Sequence, residues 1–399
     1  MRLPGNLVVI GAGLLSVVNC LFAEQWTQTD APALPWWGVA ISADGGQLAA
    51  VNSDGGIYTS TNSGRIWTQK DAPSNNWGCI ASSADGWKLV AAGGYYGKGS
   101  IYTSADAGAT WASNSAPIAN WNSVASSADG NKLVAASSSS LYTSTNAGGW
   151  WTSNDAPVLG WMSVASSADG TKLVAAAANL LGGVYTSTNS GNSWAKVTTG
   201  LGVWRAVACS ANGDVIASEY GPLSGPPTRI YVSTNGGVSW TSNNVTGFSI
   251  DQHSPWAAIA CSADGSRLVA MDGYIQTSTN FGVTWQTNDL PNEYWNSVAS
   301  SADGHRFVAV SITNLSGGGG EIRTLYSEPS PRLNAALSST NVVLSWMTPS
   351  TNFILQQNSD LISTGWIGLT NSYVLNSTNL EQEIFLPTIG SGFYRLATP

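Results

Sequence analysis

Charged side chains are scarce in this chain. Asp, Glu, Lys and Arg together make up 10% of its 399 residues, against about a quarter in ordinary globular domains. The formal charge is −8 and no Lys/Arg cluster occurs, which excludes nucleic-acid partners, whose binding rests on neutralised phosphates. Histidine is nearly absent, with only His253 and His305, and none of the four cysteines has CxxC spacing. No zinc signature is therefore present, and no metal or cofactor is expected. Long apolar runs are missing too: the longest, Leu7 to Val18, is too short to cross a bilayer. In their place stand Ser, Thr, Asn, 44 Gly and 19 Trp. With 43% apolar residues and regularly spaced aromatics, the chain is not an acidic disordered one.

The N-terminus reads as a secretory signal peptide over residues 1–23: Arg2, then the apolar run, then cleavage near Ala23. A lipoprotein reading would place the lipid on Cys20, but Asn19 suits that signal poorly. The expected product is secreted, periplasmic or at the cell surface, monomeric, and without an integral membrane segment. Export permits disulfides. Cys209 and Cys261, however, occupy a repeat place held elsewhere by Ser126, Ser166 and Ser300, and read first as small buried residues.

Residues 24–328 are repetitive. Relatives of "WNSVASSADGNKLVAA" begin at Trp36, Trp77, Trp121, Trp161, Trp204, Trp256 and Trp295. A period near 43 residues with short, β-rich segments between turn residues predicts propeller blades. Each repeat supplies strand A (WxSVASS), an Asp-Gly or Asn-Gly turn, strand B (KLVAA), strand C (IYTS) and, after TNSGxxW, strand D. The seventh repeat lacks strand D, and "WTQTDAP" from Trp26 supplies it at the other end of the chain. The fold class is therefore all-β: a seven-bladed propeller closed by pairing Trp26–Pro32 with Ile322–Ser327, so that no bare sheet edge remains.

The C–D turn has its own signature. Ser104, Asp106, Gly108 and Trp111 form Ser-x-Asp-x-Gly-x-x-Trp. Five further copies carry Asn for Asp: Ser60, Asn62, Gly64, Trp67; Ser144, Asn146, Gly148, Trp151; Ser187, Asn189, Gly191, Trp194; Ser233, Asn235, Gly237, Trp240; Ser278, Asn280, Gly282, Trp285. This pattern resembles the Asp-box, or bacterial neuraminidase repeat. The resemblance implies a β-propeller and leaves function open, since sialidases, glucan hydrolases, sorting receptors and assembly factors carry such boxes. The residues themselves read as a folding device. A short Asp or Asn caps a tight turn, Gly permits positive φ, and Trp buries area between sheets. Asn is a poor acid or base, so no catalytic role is expected of the boxes.

Function is expected on the opposite face, where the B–C and D–A loops vary in length. The candidate ligand residues are Tyr95, Tyr96, Glu219, Tyr220, Arg229, Asp251, His253, Glu293 and Tyr294. The strand-A Trp residues read as inter-blade packing. A sialidase would need an arginine triad, a Tyr–Glu pair and an Asp acid; Arg205, Arg229 and Arg323 are the only plausible arginines for that face, and no catalytic set is complete. A likeness to photosystem assembly factors extends to the seven blades but not to the "SSADGxKLVAA" half. The reading is a non-enzymatic binding or scaffold propeller for a polysaccharide or a surface protein, with a glycoside hydrolase as the alternative. Residues 329–399, after a Pro/Ser linker, alternate like a small β-sandwich and resemble fibronectin-type tail modules.

Overall fold

The computed structural model describes residues 7–11, 14–18, 25–94, 97–179, 182–197, 203–221, 229–244, 258–272, 274–288, 290, 294–313, 319–326, 334–337, 341–347, 354–358, 367–368, 374–376, 381–387 and 392–397. Every regular element among them is a strand. The chain divides into two units, 26–326 and the two ends, 1–25 with 327–399.

The larger unit is a seven-bladed propeller of four-stranded antiparallel sheets. In the third blade, strands A to D are Trp121–Ser126, Leu133–Ser137, Leu141–Ser144 and Thr152–Ser153. Strand A is innermost, and each strand A packs on the next around a closed circle. Strand B is buried along its whole length, because both its faces meet neighbouring blades; only small or branched residues fit there, hence Leu-Val-Ala-Ala. Strand D is exposed. The last blade is completed as expected: Trp295–Ser300, Arg306–Ser311 and Ile322–Tyr326 are joined by Gln25–Gln28. Just past that strand, the Thr29 backbone N–H donates to Ile322 O at 2.9 Å and its hydroxyl donates to the same oxygen at 3.0 Å.

A second circle closes the molecule at the A–B turns. Ala43 N–H donates to Ala84 O, Ala84 to Ala128, Ala128 to Ala168, Ala168 to Ala211, Ala211 to Ala263, Ala263 to Ala302, and Ala302 back to Ala43, at 2.7–2.8 Å. The "SADG" turn is thus an inter-blade joint as well as a hairpin. Its Gly answers to the same contact. Gly130 has φ +69°, and a Cβ there would stand 2.7 Å from Lys88 Cδ of the preceding blade. Lys88 Nζ continues across to Asp129 O at 2.9 Å and Asn131 Oδ1 at 2.7 Å.

The indoles divide into two sets. Strand-A Trp36, Trp77, Trp121, Trp161, Trp204 and Trp295 are at most 4% exposed, as expected of packing residues; Trp256 lies outside the described residues. Each of the first five packs on a Tyr of its own blade, as Trp121 does on Tyr142 with ring centroids 5.3 Å apart. The C–D-turn Trp residues are only half-buried at the outer end of each inter-blade cluster, less covered than their repetition implied. Trp26 takes their place between the sixth and seventh blades.

The second unit holds two antiparallel sheets, one built from Asn334–Leu337, Asn341–Met347, Glu381–Pro387 and Val374–Asn376. In the other, Leu7–Gly11 pairs with Leu14–Val18 and with Gly392–Ala397, which pairs in turn with Ile354–Asn358.

Candidate functional site

The C–D turns are built for folding. The Ser144 hydroxyl donates to Asn146 Oδ1 at 3.0 Å and accepts Gly148 N–H at 3.0 Å, while Asn146 Oδ1 accepts Trp150 N–H at 2.9 Å. Asp106 makes the same bonds with Ser104 and Thr110, so Asn and Asp are interchangeable as caps. The repeat also forces a strain that composition does not reveal. The residue before each Gly is left-handed: Ser63, Ala107, Ala147, Ser190 and Phe281 have φ of 53–60°, and only the fifth blade relieves it, with Gly236 at 68°. Hydrogen bonds hold Asp106 down to about 2, chiefly from the Thr110 side chain, then from the Thr110 N–H and Ser104.

Along the axis the arrangement differs. A cavity of about 230 Å³ is lined by the second to fourth residues of strand A from every blade but the sixth, which contributes Ala258 and Ile259. Strand A runs from the D–A end to the A–B end, so this cavity occupies the half of the axis nearer the variable loops, and the alanine circle lies at the other end. A β-bulge sets its rim. Register shifts fall just after Trp36, Trp77, Trp121, Trp161, Trp204 and Trp295, and the extra residue is re-aimed. Those residues are Trp37, Gly78, Asn122, Met162, Arg205 and Asn296, all of which line the cavity. Asn122 Nδ2 donates to Trp161 O of the next blade at 2.7 Å, and Asn296 Nδ2 donates likewise to Trp37 O. One step deeper, the hydroxyls of Ser123, Ser163 and Ser297 accept the N–H groups of Val164, Val207 and Val39 at 3.2–3.3 Å.

Of the nine sequence-predicted ligand residues, Tyr95, Tyr96, Asp251, His253 and Glu293 lie outside the described residues. Glu219, on strand B of the fifth blade, is 3% exposed and stands 4.0 Å from Arg205. Tyr220 packs its ring on Trp204 (5.1 Å) and Tyr231 (5.7 Å). Arg229 begins strand C opposite Tyr220. Tyr294 is 39% exposed, and its carbonyl accepts Ile312 N–H. The fifth blade therefore sets Glu219 beside Arg205 and Tyr220 on Trp204 and Tyr231, the two strand-B neighbours facing opposite ways, while Tyr294 sits at the start of the seventh. Arg323, another triad candidate, is ion-paired to Glu321 on the seventh blade. The bulge positions were not singled out from sequence as a group. The signal was available: the residue after the strand-A Trp is Trp, Gly, Asn, Met, Arg, Ala and Asn in turn, a variable place inside an otherwise repeated strand.

Cys79, Cys209 and Cys261 are free. Burial pushes the thiols of Cys79 and Cys209 up to about 12 and raises that of Cys261, so none is a ready nucleophile. Among the described residues no group of three His, Cys, Asp or Glu could hold a metal ion, and no helix is long and apolar enough to cross a membrane.

No family model and no curated protein matches the chain. Solved structures do. A GH74 xyloglucanase from Xanthomonas campestris aligns at 16% identity with a TM-score of 0.57, over 82% of this chain and 60% of that one. YCF48 bound to D1 peptide aligns at 11% and 0.55, over 77% and 98%. Hydrazine synthase from Kuenenia stuttgartiensis aligns at 15% and 0.55, over 74% and 96%. The chain thus spans 60% of the xyloglucanase, less than two thirds of its length, and what it shares with a glycoside hydrolase, a peptide-bound protein and a synthase is the β-propeller fold.

Proposed function

We propose that the chain is an exported, non-catalytic binding propeller of Asp-box type that engages a polysaccharide or a surface protein through its B–C/D–A face, as a monomer released by cleavage near Ala23, which removes the strands Leu7–Gly11 and Leu14–Val18, and carrying residues 329–399 as a fibronectin-like tail module. One observation carries this reading: the side chains that differ from blade to blade on strand A converge on the axial cavity at that face. The other end is built of repeated turns with repeated hydrogen bonds. A rigid scaffold with one variable, concave end is the usual layout of a binding site. A glycoside hydrolase would need two carboxyls about 5–10 Å apart across a cleft; Glu219, the one described carboxylate among the candidates, is buried against Arg205.

A glycan array run beside hydrolysis assays on sialosides and glucosides tests the proposal. Retention of one polysaccharide class, weakened by exchanging the blade-five loops for the short loop of blade three, is expected, with no turnover. Turnover abolished in Glu219→Gln or Glu293→Gln would replace the binding reading by the hydrolase.

A further inference from the structure

The axial cavity has a distinct chemical character. Of the twenty residues that line it, Arg205 alone is charged, in a chain whose net charge is −8. Its side chain is 29% exposed with the guanidinium lying over Gly221 on strand B of its own blade, and its one ionic neighbour among the described residues, Glu219, is at 4.0 Å, beyond hydrogen-bond length. Glu219 orients the arginine and leaves its N–H fork available to a ligand. Around it, Ser123, Ser163 and Ser297 use their oxygens as acceptors for backbone N–H groups, and each keeps its own proton to donate. Asn122 Nδ2 donates to Trp161 O of the next blade and to Ser138 Oγ of its own, and Asn296 Nδ2 donates one N–H to Trp37 O, which leaves their Oδ1 atoms as side-chain acceptors. The wall is therefore rich in donors and carries one positive charge.

We propose, building on the binding reading above, that this cavity takes the carboxylate of a single uronic acid residue at the end of an oligosaccharide. Arg205 presents two parallel donors to a carboxylate, the geometry a guanidinium fits. Hydroxyl and amide groups spaced around one axis match the hydroxyls of a pyranose ring. A peptide end, with one N–H and one side chain, would leave most of them unused. The volume admits one ring. The acidic remainder of the protein repels a polyanion, so the ligand carries its charge at the end inserted.

Calorimetric titration with short oligosaccharides ending in a hexuronic acid, their neutral hexose counterparts, and a tripeptide with a free carboxylate tests this. The uronate sugar is expected to bind about tenfold or more tightly than the neutral one, as a charge-assisted pair warrants. Arg205→Gln should bring the ratio to about one. Because that change leaves buried Glu219 without its arginine, Met162→Glu is the second arm: it puts a carboxylate on the rim in the adjoining blade and should erase the same preference with the Arg205–Glu219 pair intact. Equal affinity of wild type for acid and neutral sugars overturns the uronate assignment and leaves the binding propeller standing. Tighter binding of the tripeptide, or a preference surviving both variants, also overturns it. Binding of no sugar by a folded wild-type protein removes the uronate assignment together with the polysaccharide reading.

Discussion

Phe281 is the residue at which the repeat shows its cost most plainly. It is 42% exposed with φ 57°, a conformation in which a Cβ crowds the backbone by about 1–2 kcal/mol. Nothing at that turn requires a phenyl ring, and Gly236 does the same job without strain. Phe281→Gly is expected to stabilise by about 1 kcal/mol, the relief of strain outweighing the flexibility gained by the unfolded chain; equal urea midpoints would show that the turn tolerates the ring freely. The two indole sets supply a second test. Trp121 is fully buried, and Trp121→Ala is expected to cost about 3–5 kcal/mol. Trp151, half-buried at the rim of the same cluster, should cost about half as much on truncation. Denaturant titrations that reverse this order would place the packing weight in the C–D turns.

At the scale of the turn, one carboxylate distinguishes the second blade from its neighbours. Asp106 titrates at about 2 in the folded protein and near 3.9 when unfolded. A depressed acid stabilises fully above the unfolded value and loses that contribution as pH falls through the folded one. Thermal melts from pH 6 to pH 2 should therefore show Asp106→Asn losing less stability between pH 4 and pH 2 than wild type. Asn146→Asp should be neutral at pH 7 and steepen the same acid limb. Equal slopes in all three proteins would mean that the hydrogen bonds to Asp106 do not favour its ionised form. The A–B turns share this acid dependence, since Ser hydroxyls hold Asp44, Asp85, Asp129 and Asp169 low as well.

Across the whole molecule, two circles make the propeller cooperative: the sheet completed by Gln25–Gln28 and the hydrogen-bonded alanines. Deleting residues 24–33 bares the edge of the last blade and is expected to lower the melting temperature sharply, in calorimetry, with loss of a single transition; an unchanged curve would sink the closure. Ala168→Pro removes the donor that links the fourth blade to Ala211 O of the fifth and should loosen two blades at once, visible as faster amide exchange in both the fourth and fifth.

The sequence by itself determined the number of blades, their strand order and their closure, because a fold of equivalent units writes each structural need seven times. The offset of Trp26 from the last repeat, and the Asn-for-Asp exchanges in the turns, were legible for that reason: capping and edge pairing are local or repeat-wide demands. Tertiary structure alone decided what the unrepeated positions do. Arg205, Asn122 and Asn296 are more than 80 residues apart in their separate blades, and only the bulge after each strand-A Trp, combined with ring closure, aims them into one cavity. The alanine circle was hidden likewise. Alanine carries no chemical signal in a sequence, and its backbone N–H acquires a partner only when the neighbouring blade arrives.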